Sequence, residues 1–205
     1  PIGMSKKMIF YVLFFPVLVL VFYMGLSSTI PGFNKKRFPP ISKVEPGSFT
    51  NQDGKPFTQD DMKGKVAVVN YFFTTCTSVC PRMNNNIKTQ YNDLKDNPDV
   101  LFVSLTSDPQ RDSVPVLKRY ADSMQVNTAK WQFLTGRKDS LYKTARYSFK
   151  IDDPDNFVTN ETVDFLHTQF IALVNRKGEV VKIYDGLKQS ELTSLDDDIK
   201  NLLAN

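Results

Sequence analysis

Two thiols and a single imidazole make up the soft-ligand inventory of this 205-residue chain, which has 2 Cys and 1 His. Within one chain that stock excludes a structural zinc site of four Cys or of two Cys and two His, a two-His blue-copper site and a His-rich dinuclear centre. The cysteines stand close together in Phe72-Phe73-Thr74-Thr75-Cys76-Thr77-Ser78-Val79-Cys80-Pro81-Arg82-Met83. Four residues apart on a helix-like path, their Cα atoms would lie about 6 Å from each other, inside the window that a disulfide bridges. The same spacing lets two thiolates splay around a metal ion. Three readings therefore stay open: an exchange dithiol, a metal site and a structural disulfide. The last would close a very short loop and remove little chain entropy, so it would contribute little stability.

The place of the pair along the chain narrows its chemistry. Val66 to Phe73 is a β-branched and aromatic run suited to a strand buried on both faces, and a helical segment from about Arg82 to Lys95 follows it. The thiols fall where a central strand hands over to a helix, which is where open α/β sheets expose reactive groups. Pro81 suits the first helical position, so Cys80 is assigned to the N-cap, facing free N–H groups and the positive end of the helix dipole. A thiolate is favoured there, and at least one of the two thiols is expected to be more acidic than a free cysteine.

The remaining elements complete the frame. Val100 to Thr106 is a second apolar strand, and Asp112 or Ser113 can cap a helix running to about Met124. Phe133-Leu134 reads as a short strand and Asp139 to Tyr147 as a further helix. Phe170 to Val174 and Val180 to Tyr184 flank Asn175-Arg176-Lys177-Gly178 as an antiparallel hairpin, and Ser190 to Leu203 closes the chain as an amphipathic helix. Parallel strands joined by helices, followed by a hairpin, make a mixed central sheet in a thioredoxin-like three-layer α/β/α domain.

In such a sheet the loop before the hairpin faces the loop that carries the cysteines. His167, in Asp164-Phe165-Leu166-His167-Thr168-Gln169-Phe170, is thereby brought toward Cys76 and Cys80. A lone His at a strand end is ordinarily only a polar residue, but two thiolates and one imidazole together make a three-coordinate site suited to Cu(I), whereas Zn(II) would want a fourth ligand. Exchange enzymes of thioredoxin type place a cis-proline at this position. Here the last proline is Pro154, which demotes that design. Met83 and Met124, at helical positions, are read as packing residues.

Charge and hydropathy divide the chain. The net charge of +4 comes from residues 1–44, where Lys6, Lys7, Lys35, Lys36, Arg37 and Lys43 meet no acid; from Glu45 onward there are 20 basic against 22 acidic residues. The basic stripe that nucleic acid requires is missing from the folded part. Met8 to Leu26 is a 19-residue run without a charge, at ~1.5 Å per residue about the thickness of a bilayer's hydrocarbon core, with Tyr11 and Tyr23 near its ends and Pro16 inside. An uncleaved anchor is expected rather than a cleaved signal or a core helix, and with no Cys near the run no lipidated N-terminus is expected. The division expected is a cytoplasmic segment 1–7, a transmembrane anchor 8–26, a Pro-containing tether 27–46 and the folded domain 47–205 on the extracytoplasmic side, in a single-pass cytoplasmic-membrane protein.

With these residues in view, the chain resembles the Sco/SenC family of membrane-tethered, copper-binding, thioredoxin-like proteins that help assemble cytochrome c oxidase. The likeness runs in order over about residues 44–203: Phe49 to Phe57 with Asp53-Gly54-Lys55-Pro56, Phe73 to Pro81, Ser104 to Asp112, Leu134-Thr135-Gly136, His167 and Asn175 to Gly178. It implies Cys76, Cys80 and His167 as ligands for copper, as Cu(I) and also Cu(II), with Cys76 and Cys80 doubling as a redox-active dithiol. It implies a metallochaperone for a respiratory oxidase's copper-binding subunit, served by an upstream thiol reductant. A thiol-disulfide oxidoreductase is the alternative, and a redox or copper sensor a third. Two departures stand out: Thr77-Ser78-Val79 replaces the family's usual Pro-Asp between the cysteines, and Leu166 precedes His167 where an Asp is common. Asp108, Arg111 and Asp112 are read as a solvated helix start with a cap and an ion pair.

Overall fold

The computed structural model describes residues 5–29, 38–151 and 168–204, in two compact units divided after Arg37. In the first unit, α1 (Lys6–Thr29) is long and apolar enough to cross a membrane and buries none of its side chains. It overruns the 8–26 span at both ends. Its final carbonyls are partly satisfied by its own hydroxyls: Ser27 Oγ donates to Met24 O, and Ser28 Oγ and Thr29 Oγ1 donate to Gly25 O.

The second unit runs β1 (Ser42–Lys43), β2 (Ser48–Asn51), β3 (Pro56–Thr58), a 3-10 turn (Gln59–Met62), β4 (Val66–Phe72), α2 (Val79–Leu94), β5 (Val100–Thr106), α3 (Val114–Met124), β6 (Trp131–Thr135), α4 (Lys138–Lys143), a π-helical turn (Thr144–Phe149), β7 (Phe170–Val174), β8 (Glu179–Asp185) and α5 (Gln189–Leu203). The sheet order is β1-β8-β7-β4-β5-β6-β2-β3. β4, β5 and β6 are parallel, while β7, β8, β1, β2 and β3 join antiparallel.

The two central strands read as predicted because each is a seven-residue run buried throughout. Alternate residues feed two cores. Val66, Val68 and Phe72 pack with Ile87 and Tyr91 of α2, Leu117 of α3 and Ile199 of α5. Ala67, Val69 and Tyr71 face the other way, toward Leu141, Ala145 and Phe149 of α4 and the π-helical turn. Helices therefore cover both faces of a mixed sheet, the three-layer arrangement expected.

Three corrections concern the edges. Ser42 and Lys43, placed in the tether, pair with Val180 and Glu179 of β8, so the folded unit begins at Phe38 rather than at 47. The β2–β3 hairpin was not read as strands, because four- and three-residue runs carry too few alternations to register. The helix expected over 139–147 is α4 followed by a wider π-helical turn that ends at Lys150 with φ 56°.

Gly186 shows how tightly the far end of β8 is packed on α2. A Cβ there would stand 2.8 Å from Met83 Cγ and 2.9 Å from the Gln169 carbonyl oxygen. Asn86 Nδ2 donates to Gly186 O at 2.8 Å, and Gly186 N–H donates to Gln169 O at 2.8 Å. The start of β7, the end of β8 and the first turns of α2 are thus in direct contact.

Candidate functional site

β4 ends at Phe72 and α2 starts at Val79, so the six intervening residues must turn the chain while carrying Cys76. The turn is pinned from both sides. Phe72 O accepts from Ser107 N–H at 2.8 Å, continuing the register of β4 on β5 past its last ladder pair. Thr74 is held by Asp112, whose carboxylate accepts from Thr74 N–H at 3.1 Å, from the Thr74 hydroxyl and from the Thr106 hydroxyl. Asp112 is fully buried. It is neither solvated nor the helix cap, since Ser113 occupies the N-cap of α3. It acts as a strut between the loops that follow the two central strands. Asp108 and Arg111 do form the expected ion pair, at 3.7 Å, although Asp108 is itself buried.

A second polar clamp fixes the rotation of α2. Asn84, one turn past Cys80, accepts from Asn70 Nδ2 at 2.9 Å and donates to the Tyr120 hydroxyl at 2.7 Å. Asn70 in turn accepts from Ser104 Oγ, which accepts from Trp131 Nε1 at 2.8 Å. Each member is paired, so the chain of buried polar groups orients the helix without an orphaned donor.

Cys76 and Cys80 are brought together here, both with free thiols and both largely covered. The roles of the two differ from those read off Pro81. α2 begins two residues before Pro81, with Ser78 at the N-cap, and Ser78 makes no side-chain cap bond. Cys76 Sγ supplies that function: it accepts from Cys80 N–H at 3.4 Å and stands 3.9 Å from Ser78 Oγ. The helix N-terminus therefore serves Cys76 rather than Cys80.

The acidities divide accordingly. Burial by itself pushes the Cys76 thiol up, but hydrogen bonds from the Cys80 thiol and from the Cys80 and Ser78 backbones outweigh it and leave Cys76 below the ordinary thiol value. Burial raises Cys80, and its bond and charge repulsion with Cys76 add to that, so that Cys80 is pushed up to about 12. The pair therefore ionises once, and the charge rests on Cys76. We expect a short iodoacetamide pulse near neutral pH to modify Cys76 well ahead of Cys80 in peptide mass maps. Faster labelling of Cys80 would contradict this assignment.

His167, expected as the third ligand, lies outside the described residues. Among the described residues no group of three or more His, Cys, Asp or Glu could hold a metal. Thr168 next to it is buried, with its hydroxyl donating to Ile151 O at 2.8 Å and accepting from Phe170 N–H at 3.1 Å. Met83 and Met124 both pack in the apolar cluster that includes the cysteines, as their helical positions suggested. Sequence reasoning missed the supporting role of Asp112 and the cap made by Cys76. Neither had a local signal, since the Asp112 contact to Thr74 spans 38 residues of sequence.

The fold and this site define a thioredoxin-like domain with a reduced C-x-x-x-C pair at the end of its first parallel strand. Comparison with known proteins sharpens that class. The SCO1/SenC family model matches residues 39–204, so the chain belongs to the SCO1/SenC family. The SCO1 protein homolog of Bacillus subtilis (strain 168) is 31% identical over 163 residues, covering 78% of this chain and 82% of the relative. The structure of BsSco, described with a disulfide switch and as a member of the Sco family of cytochrome c oxidase assembly proteins, matches with a TM-score of 0.68 at 30% identity, covering 82% of this chain and 98% of that one. A structure of Arabidopsis thaliana ScoI with copper bound matches with a TM-score of 0.61 at 25% identity, covering 80% of this chain and all (100%) of that one.

Proposed function

We propose that this protein is a copper chaperone for a respiratory cytochrome c oxidase, carrying copper on Cys76, Cys80 and His167 and delivering it to the oxidase's copper-binding subunit. The observation that carries the reading is the pair of free thiols at the mouth of α2, where Cys76 Sγ accepts from Cys80 N–H at 3.4 Å and Cys76 is the more acidic of the two. Sulfur donors of this kind suit Cu(I). The copper-bound Arabidopsis relative and the oxidase-assembly role stated for the BsSco family point the same way. For His167, the support is the chain on its C-terminal side: Gln169, two residues on, bonds Gly186, which packs on Met83 one turn past Cys80.

Copper is cargo here, so the site must both take and release it. Cys76 offers its thiolate first, and Cys80 surrenders its proton only as the metal arrives. Oxidation to the Cys76–Cys80 disulfide takes two electrons from the pair, with one proton from Cys80 and a second where Cys76 is still protonated, and leaves no thiolate, so loading requires a thiol reductant that returns the two electrons. The apolar anchor and the basic residues on its N-terminal side are consistent with a cytoplasmic N-terminus and an extracytoplasmic domain.

His167→Ala tests the ligand set. We expect the reduced variant to compete at least about tenfold less well for Cu(I) against a chromophoric chelator, since even the loss of a ligand's hydrogen-bonding partner costs 10–100-fold. Unchanged stoichiometry and strength would remove His167 from the site. One observation favours the second reading, a thiol-disulfide oxidoreductase: the acidic Cys76 beside a protonated Cys80 is the asymmetry of an attacking and a resolving thiol. Catalytic turnover on a disulfide substrate, undiminished by His167→Ala, would select it.

A further inference from the structure

Apart from α1, the large apolar side chains exposed among the described residues are Ile41, at 50%, and Tyr147, at 56%. They lie on touching segments, because the Ser42 hydroxyl donates to the Ser148 carbonyl and ties β1 to the π-helical turn. Two clefts share Glu45 and Pro46 in their linings, one reaching Tyr147 and the other Lys43, two residues after Ile41. The larger, of about 350 Å³, is lined by Lys43, Lys63 and Lys177; the smaller, of about 170 Å³, by Lys143 and Tyr147. Four lysines thus face one carboxylate, that of Glu45, in the two linings, with Lys63 also paired to Asp60 at 2.6 Å. Lys150 Nζ stands 5.8 Å from the Tyr147 ring and adds to the basic rim.

The β1 part of this patch lies toward the hairpin-turn end of the sheet, while the π-helical turn reaches up the face to Tyr71, whose ring stands 6.5 Å from that of Phe149. β1 pairs with the first residues of β8, and Gly64 N–H, just ahead of β4, donates to Arg176 O in the hairpin turn at 2.9 Å. The cysteines follow the opposite end of β4, seven residues away along the strand, a separation of about 20 Å at ~3.3 Å per residue. An exposed apolar pair alone is ordinary. Ringed by lysines it acquires the character of an interfacial surface, where a tyrosine and aliphatic lysine stems settle at headgroup depth and the ammonium groups meet phosphates. The patch also contains the first strand after α1 in the chain, and the basic run Lys35-Lys36-Arg37 lies between the two in sequence.

The geometry points to this lysine-ringed patch as a docking surface for an anionic phospholipid bilayer, with Lys43, Lys143 and Lys177 on lipid phosphates and Ile41 and Tyr147 in the interfacial layer. The inference rests on the membrane-anchor part of the function proposed above and not on copper.

The test uses the full chain in lipid nanodiscs made of phosphatidylcholine alone or with phosphatidylglycerol, pulsed with an amine-acetylating reagent and read lysine by lysine in mass spectrometry. Lys43, Lys143 and Lys177 should be acetylated about fivefold more slowly in the anionic discs, the factor expected for a lysine held at an anionic surface. Lys188, at the dithiol end, should not change. About 1 M NaCl, where the Debye length falls to ~3 Å, should abolish the difference. Ile41→Ser with Tyr147→Ser should reduce the shielding while the circular dichroism spectrum is unchanged. Equal rates in both lipids, slowing at every lysine, or shielding that grows with the number of chains per disc would overturn the docking. Chains that enter the discs with unshielded lysines overturn the docking alone, whereas chains that fail to enter them overturn the anchor as well.

Discussion

Replacing Cys80 with serine is expected to abolish stoichiometric Cu(I) binding, weakening it by more than about 100-fold, the upper end of what loss of a mere supporting partner of a ligand costs. The substitution keeps the size of the side chain and leaves α2 intact, so the loss should be one of ligation and not of folding. The unmodified chain should also show a characteristic pH dependence. Because Cys80 holds its proton up to about 12, one proton is displaced by copper throughout the accessible range, and affinity should rise about tenfold per pH unit. Below the lowered value of Cys76 a second proton is displaced, and the rise should steepen to about 100-fold per unit, with the His167 imidazole adding its own proton below ~6.5. Chelator competition across pH measures both slopes. In Cys80→Ser the Cys80 contribution should vanish, and undiminished competition by that variant would sink the proposed site.

The second large effect is expected at Asp112, which touches neither sulfur. Asp112→Ala would strand the buried Thr106 hydroxyl and strip the half-buried Thr74 N–H and hydroxyl of their acceptor. An orphaned buried donor costs about 1–3 kcal/mol and a half-buried one less, so we expect a loss near 2–3 kcal/mol, with the midpoint of thermal unfolding lowered by roughly 5–10 °C. Asp112→Asn keeps one acceptor and the shape, and should lose less. The damage should also reach the dithiol, since Thr74 begins the turn that carries Cys76: in Asp112→Ala the preference of alkylation for Cys76 should shrink. A stability loss below about 1 kcal/mol would mean that the strut is dispensable.

These two positions also mark how far the linear chain could be read. Cys76 and Cys80 were legible because local order decides their surroundings: a buried strand, a turn and a helix follow one another within a few residues. The acidification of one thiol followed from the same order. Which thiol it is did not, because Pro81 tolerates the third helical position as well as the first, and only the folded turn shows Cys76 Sγ under the Cys80 N–H. Asp112 was misread as a solvated cap for a related reason. Nothing in Ser107 to Ser113 distinguishes an acid facing water from one facing Thr74, which lies 38 residues earlier in the chain.

The membrane-length apolar run, the two parallel strands, the hairpin and the dithiol at the first strand's end were determined by the sequence alone, since hydrophobic period and turn chemistry act over neighbours. Tertiary structure decided the rest: the pairing of Ser42 with Val180, the short β2–β3 edge, the contact of Gly186 with Met83 that brings β7 against α2, and the gathering of four lysines in the clefts on either side of Glu45. The physical reason is common to all of these. They depend on contacts between segments distant in sequence, whose partners no local pattern names, and a sheet edge, a buried carboxylate or a charged cleft exists only once those segments meet.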